Sequence, residues 1–93
     1  MKSKWKLYVV QCCDASLYTG ITTDVQRRIH EHNETPKGAR YTRGRRPVQL
    51  VASWRCESHS QAARLEYAFK QLSRSQKLRW LKRDEIGGLL DDR

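Results

Sequence analysis

No stretch of this 93-residue chain approaches the roughly 18 consecutive apolar residues that a membrane-crossing helix needs. The N-terminal MKSKWK leads into a strand-like LYVVQCC, with neither the apolar core nor the cleavage site of a secretory signal. Acidic residues are also scarce: 10 Asp and Glu stand against 19 Lys and Arg, for a net charge of +9 and an isoelectric point near 10.0. CxxC spacing is missing too. The three cysteines, Cys12, Cys13 and Cys56, are odd in number, and neighbours on a strand point to opposite faces, so they read as small apolar residues of a reducing compartment and not as a metal site. No repeat or low-complexity tract is present. These absences disfavour membrane, disulfide-stapled and repeat architectures. They leave an expected single cytoplasmic domain over 1–93 whose positive charge calls for a polyanionic partner, nucleic acid before a membrane surface.

The segment from Trp5 to Cys12 is rich in strand formers, Asp14-Ala15-Ser16 supplies turn chemistry, and Leu17 to Thr22 resumes the apolar pattern, which predicts a hairpin. Thr23 and Gln26 have the spacing of a capping box, so a first helix is expected from near Asp24 to about Asn33, stopped by Pro36 and Gly38. Residues 37–46, KGARYTRGRR, carry five cations and no acid, and read as a basic loop. VQLVASWRC reads as a third strand. Ser58 and Gln61 repeat the capping-box form ahead of a second helix with Ala62, Leu65, Phe69 and Leu72 on its inner stripe and Glu66 at the margin. A Ser-Arg-Ser break then precedes a shorter helix in QKLRWLKRDEI, and the tail GGLLDDR is expected to fray. The fold class is α+β: a three-stranded antiparallel β-sheet flanked by helices.

The first helix raises a chemical question. At about 100° per residue, Arg28 and His32 project within roughly 60° of Val25, on the apolar side, while Arg27 points nearly opposite. An arginine beside an apolar stripe commonly snorkels, a strand tyrosine is commonly core, and a lone helix glutamate is commonly solvated. Taken together, Tyr8, Tyr18, Arg28, His32, Glu66 and the basic loop make a different pattern.

That pattern resembles the GIY-YIG nucleases. The two strand motifs that name the family read here as Leu7-Tyr8-Val9 and Tyr18-Thr19-Gly20, with the first motif's glycine and isoleucine replaced by Lys6 and Leu7. Arg28 and His32 fall where the family has an arginine and, one turn later, a histidine or tyrosine, and Glu66 in LEYAFKQL matches the metal-binding glutamate. The likeness runs from Lys6 to about Lys77 and is closest to the small stand-alone bacterial members, the YhbQ-like, UPF0213-type group. Ile21 stands where many members carry a lysine, and Lys77, Leu78 and Arg79 where others have an asparagine.

Phosphodiester cleavage needs an aimed water, compensation for charge on the phosphate oxygens and help for the leaving oxygen. Glu66 is the only acid at an inner helix margin, which points to a single hard cation, Mg²⁺ or Mn²⁺. Arg28 would hold phosphate with a planar charged fork, His32 would orient a hydroxyl or shuttle a proton, and Tyr8 or Tyr18 would take the proton from water. Gly20 would permit close backbone approach in the cleft, and Lys37, Arg40, Arg43, Arg45 and Arg46 would bind the nucleic-acid backbone. The expected function is a metal-dependent endonuclease acting on DNA with low sequence specificity, with repair or the processing of branched or damaged substrates implied by the resemblance alone. The alternative is a non-catalytic nucleic-acid-binding module that keeps the fold and the basic surface.

Overall fold

The computed structural model describes residues 3–91. Three strands, β1 (Lys6–Gln11), β2 (Leu17–Thr22) and β3 (Gln49–Arg55), form an antiparallel sheet in the order β2-β1-β3. Helices α1 (Val25–Glu34) and α2 (Arg40–Arg43) lie between β2 and β3, and α3 (His59–Lys70), α4 (Arg74–Trp80) and α5 (Gly88–Asp91) follow β3. The central strand explains its own sequence. Leu7, Tyr8, Val9 and Val10 are all buried because β1 is covered on both faces, so its apolar residues run on instead of alternating. Side chains still alternate between faces. Leu7 and Val9 join Trp54, Ala62, Leu65, Phe69, Ile86 and Leu89 in one core, while Tyr8, Val10 and Cys12 join Val25 and Val48, with Tyr18 and Ile29 packed alongside, in a second core under α1. One extra residue in β3 between the partners of Val9 and Val10 makes a bulge there.

Several boundaries differ from expectation. The cap of α1 is Asp24, whose carboxylate accepts from the Arg27 N–H, while the Thr22 hydroxyl accepts from the Asp24 N–H. An ionised acceptor at the positive end of a helix displaces the Thr23 box. Ser58 caps α3 as expected, but the Gln61 side chain turns back to Glu57. Ser73 is not part of a break: it caps α4 in a full box with Gln76, so Arg74 and Ser75 form the first turn. The tail does not fray as far as Asp91, since Ile86 and Leu89 close the bottom of the larger core; the final two residues lie outside the described ones. Cys12 and Cys56 are buried, and Cys13 is exposed.

The basic segment is a strap and not a free loop. Gly38 presses on α1 so closely that a Cβ would stand 2.9 Å from the Glu31 carbonyl oxygen and 2.9 Å from His32 Cα, a contact only glycine allows. The Asn33 amide pairs with both backbone groups of Val48, tying the end of α1 to the start of β3. Arg46, next to the cis Arg46–Pro47 bond, donates to the carbonyls of His32 and Thr35 and so satisfies the last turn of α1. Arg46→Ala should therefore lower stability by about 2 kcal/mol, since charge-assisted bonds to half-buried carbonyls are lost. In a domain this small that is a fall of roughly 10 °C in melting temperature, readable by circular dichroism.

Candidate active site

Tyr8 and Tyr18 occupy alternate positions on the α1 face of the hairpin. Tyr8 pairs directly with Gly20 and Val10 with Tyr18, which sets the two tyrosines on a diagonal. Tyr8 is 1% exposed. A Cβ on Gly20 would stand 2.5 Å from the Tyr8 hydroxyl oxygen, so Gly20 is buried against that hydroxyl and clears its place. The close approach that glycine was expected to permit is made here by the Tyr8 hydroxyl, and the backbone at Gly20 is largely covered.

The helical phase separates the two arginines of α1. The Arg28 side chain is 25% exposed and that of Arg27 57%. Arg28 Nη1 donates to Glu31 Oε1 at 2.9 Å and to the Lys37 carbonyl at 2.8 Å, fixing the guanidinium between helix and strap. Burial works against its charge, but Glu31 and Tyr8 outweigh that and raise its pKa. Arg28 also favours the Tyr8 phenolate, yet burial dominates and pushes the Tyr8 phenol up to about 12.

His32 is fully buried at the centre of the group. Its Nε2 lies 2.7 Å from Tyr8 Oη, and its Nδ1 lies 3.0 Å from Thr42 Oγ1 and 3.3 Å from the Ala39 amide nitrogen. The Tyr18 ring meets it edge-on, 5.4 Å between centroids. Burial first, then the charges of Arg28 and Arg46, push its pKa down to about 4, against the opposing pull of Glu31, so the ring is neutral near pH 7. The unfolded chain takes up this proton near the ordinary 6.5 and the folded chain only near 4. The contribution of His32 to stability is therefore complete above about pH 6.5 and is lost as the pH falls toward 4, on the order of 3 kcal/mol at most. Urea midpoints at pH 7.5 and 4.5 should show this drop in the wild type and a clearly smaller one in His32→Gln.

Glu66 comes from α3, on the other side of the sheet, and reaches the group around the β2 edge. Its carboxylate pairs with Lys70 Nζ at 3.2 Å, and Lys70 Nζ stands 5.7 Å from the centroid of the Tyr18 ring. The negative charge of Glu66 is near enough to Tyr8 to help keep the phenol protonated. Among the described residues no three His, Cys, Asp or Glu side chains gather as a metal cage. What Glu66 offers is one partly exposed hard-oxygen ligand, which fits a largely hydrated Mg²⁺ or Mn²⁺ completed by substrate phosphate. The Lys70 pair is no obstacle, because exposed i,i+4 pairs contribute only about 0.3–0.5 kcal/mol.

The five strap cations divide into two groups. Arg46 is committed to α1, and Arg45 pairs with Asp14 at 3.0 Å, donates to the Tyr41 carbonyl and lies 4.0 Å above the Tyr41 ring. These two hold the strap in place, a structural task that their expected role as phosphate contacts did not include. Arg43 is exposed but donates to the Pro36 carbonyl, while the exposed side chains of Lys37 and Arg40 make no hydrogen bond or ion pair among the described residues. Three neighbours of the site were not expected from the sequence. Thr42 is fully buried on His32, Tyr41 stacks on Tyr18 at 5.8 Å, and Lys70 sits on Glu66. Only Lys70 had a signal, its i,i+4 spacing from Glu66.

A small α+β fold that sets a tyrosine hairpin against an arginine-histidine helix, with a glutamate at the sheet edge, has close counterparts. Residues 4–79 match the family profile of the GIY-YIG catalytic domain, and the chain belongs to that family. A UPF0213 protein of Desulfotalea psychrophila is 55% identical over 83 residues, covering 89% of this chain and 76% of the relative. A UPF0213 protein of Halobacterium salinarum is 56% identical over 71 residues, 76% of this chain and 91% of the relative. The solution NMR structure of a UPF0213 protein from Bacillus halodurans superposes with a TM-score of 0.54 at 49% identity, covering 83% of this chain and 81% of that one. The domain match points to nuclease activity and hence to a nucleic-acid substrate. No helix among the described residues is long and apolar enough to cross a membrane.

Proposed function

We propose that the protein is a divalent-metal-dependent endonuclease that hydrolyses phosphodiester bonds in DNA with low sequence specificity, using Tyr8, Tyr18, Arg28, His32 and Glu66. The observation that carries this reading is a tyrosine hydroxyl hydrogen-bonded to a neutral histidine, with a cation fixed by Glu31 and the Lys37 carbonyl acting on both and a carboxylate close enough to act on the tyrosine. Low specificity follows from the strap, whose free cations suit phosphates and whose short helix carries few base-reading side chains. The repair setting and a cytoplasmic location belong to the same proposal. The free thiols of Cys12, Cys13 and Cys56 accord with a reducing compartment.

Arg28 orients the scissile phosphate and compensates its charge, with its own position held by Glu31 and Lys37. A phenol at pKa about 12 is not a stored base, so Tyr8 acts by exchange. As Oη takes the proton of the attacking water, the phenol proton passes to His32 Nε2, 2.7 Å away. The negative phosphate drawn in by Arg28 raises the basicity of His32 when it is needed. Tyr18 walls the ring of His32 and links it to Tyr41. A divalent cation on Glu66 would supply Lewis-acid compensation for the charge growing on the phosphate and leaving oxygens.

The deep burial of Tyr8 favours the second reading, a binding module without turnover. Plasmid and oligonucleotide DNA incubated with Mg²⁺, Mn²⁺ or chelator separates the two: metal-dependent cutting supports the nuclease, and tight binding without cutting supports the module. For binding, Lys37→Ala with Arg40→Ala should reduce the slope of log affinity against log salt by roughly 0.7 to 0.9 per lost phosphate contact and leave the melting temperature unchanged. Fluorescence anisotropy titrations at several salt concentrations measure the slope, and an unchanged slope would place the nucleic acid elsewhere, along Arg74, Lys77, Arg79, Lys82 and Arg83.

A further inference from the structure

Thr42 is the one strap side chain that is fully buried, and it is buried on the far nitrogen of the ring that touches Tyr8. A hydroxyl has one proton to donate. Here it goes to the Ala39 carbonyl, 2.9 Å from Oγ1, on the turn that opens α2. With that proton committed, Oγ1 faces His32 Nδ1 at 3.0 Å as an acceptor, and Nδ1 must carry the hydrogen. Nε2 is then left with a lone pair directed at Tyr8 Oη, 2.7 Å away. The competing arrangement is also present in the geometry: the Ala39 N–H points at Nδ1 and donates to it at 3.3 Å when Nδ1 is bare, a bond that the Nδ1–H form gives up. That contact is the longer of the two. In the competing arrangement Nε2–H would donate to Tyr8 Oη and could accept no proton from it.

We propose that Thr42 is a positioning residue that holds His32 as its Nδ1–H tautomer and so makes Nε2 the acceptor for the Tyr8 hydroxyl proton. This rests on the roles assigned above to Tyr8 and His32. The proton balance is closed: one proton moves from water to Tyr8 Oη, one from Tyr8 Oη to His32 Nε2, and the resulting imidazolium donates from Nδ1 to Thr42 Oγ1. The strap thereby has a second task besides carrying cations. The turn that sets Thr42 also carries the Ala39 groups, and its flanking residue Lys37 accepts from Arg28, so the segment that meets nucleic acid is mechanically tied to both groups that act on the phosphate.

The test is ¹⁵N NMR of the histidine ring in uniformly labelled protein near pH 7, with single-turnover kinetics alongside. In the wild type, Nδ1 of His32 should resonate as a protonated ring nitrogen and Nε2 as a bare one. Thr42→Val, which keeps the shape and removes the acceptor, should exchange the two signals as Ala39 N–H takes over Nδ1, and Thr42→Ser should keep the wild-type pattern. In kinetics, Thr42→Val should lose about tenfold or more in kcat with little change in KM, and Thr42→Ser should recover most of it. A wild-type spectrum with the proton on Nε2 overturns the proposal even if no variant folds, and so does a Thr42→Val spectrum or kcat indistinguishable from wild type. Because the spectra require no turnover, a protein that cuts nothing would refute the nuclease reading while leaving the tautomer to be decided on its own.

Discussion

Glu66→Gln should cut the rate of DNA cleavage by on the order of a hundredfold or more while the protein still folds and still binds DNA. The substitution keeps the volume and one carbonyl oxygen but removes the charge that would hold a hard cation, and a cation acting on the phosphate oxygens supplies several kcal/mol of transition-state stabilisation. The fold should hardly notice. Glu66 lies at the margin of α3, outside the buried stripe of Ala62, Leu65 and Phe69, and its one ion-pair partner among the described residues is the half-exposed Lys70. Melting by circular dichroism should stay within a few degrees of wild type, and Mn²⁺ binding followed by electron paramagnetic resonance should weaken in step with the loss of rate. A Glu66→Gln protein that cuts normally would remove the cation from this position.

Arg28→Lys should lose about a hundredfold in cleavage rate, and Arg27→Ala no more than a few-fold, although the two are sequence neighbours of equal charge. Arg27 is mostly exposed, 3.9 Å from Glu31, and points away from Tyr8, whereas Arg28 is fixed by Glu31 and the Lys37 carbonyl beside the Tyr8 hydroxyl. Lysine retains the charge and loses the planar fork, so the Arg28→Lys deficit reports geometry. Arg28→Ala is the harsher change, since it also leaves the Lys37 carbonyl without its partner and should cost about 1–2 kcal/mol of stability. Equal rate losses from Arg27→Ala and Arg28→Lys, measured at saturating DNA, would show that the cleft is not on the Arg28 side of the helix.

The same pair shows what can be read before a structure is known. Helical phase is local arithmetic, and it put Arg28 and His32 on the inner side and Arg27 outside. The buried stripe of α3 was legible for the same reason, because apolar period reports the face that is covered, while the hairpin and the third strand were legible from runs of strand formers and the Asp14-Ala15-Ser16 turn. Caps were legible to within a residue. Thr23 lost to Asp24, and the box of Ser73 and Gln76 was hidden by reading Ser-Arg-Ser as punctuation. The strap was not legible. KGARYTRGRR has no apolar period, so nothing local announces that Thr42 is buried, that Gly38 touches α1, or that Arg46 closes the end of that helix. Those are contacts across the chain, made possible by the small size of Gly38 and the hydrogen-bonding capacity of one threonine and one arginine. The tail failed in the same way: Ile86 and Leu89 are too few to show a period, yet they complete the core.

The most direct measurement is a crystal structure of the Tyr8→Phe protein with a short DNA oligonucleotide and Mn²⁺, with the metal located by its anomalous scattering. The predicted result is one Mn²⁺ on the Glu66 carboxylate, Lys70 displaced from it, and a phosphate shared between the metal and the Arg28 guanidinium in front of the residue 8 ring. An oligonucleotide lying along the strap with no phosphate at Arg28, or Mn²⁺ bound away from Glu66, would contradict the assignment of these residues to one nuclease site.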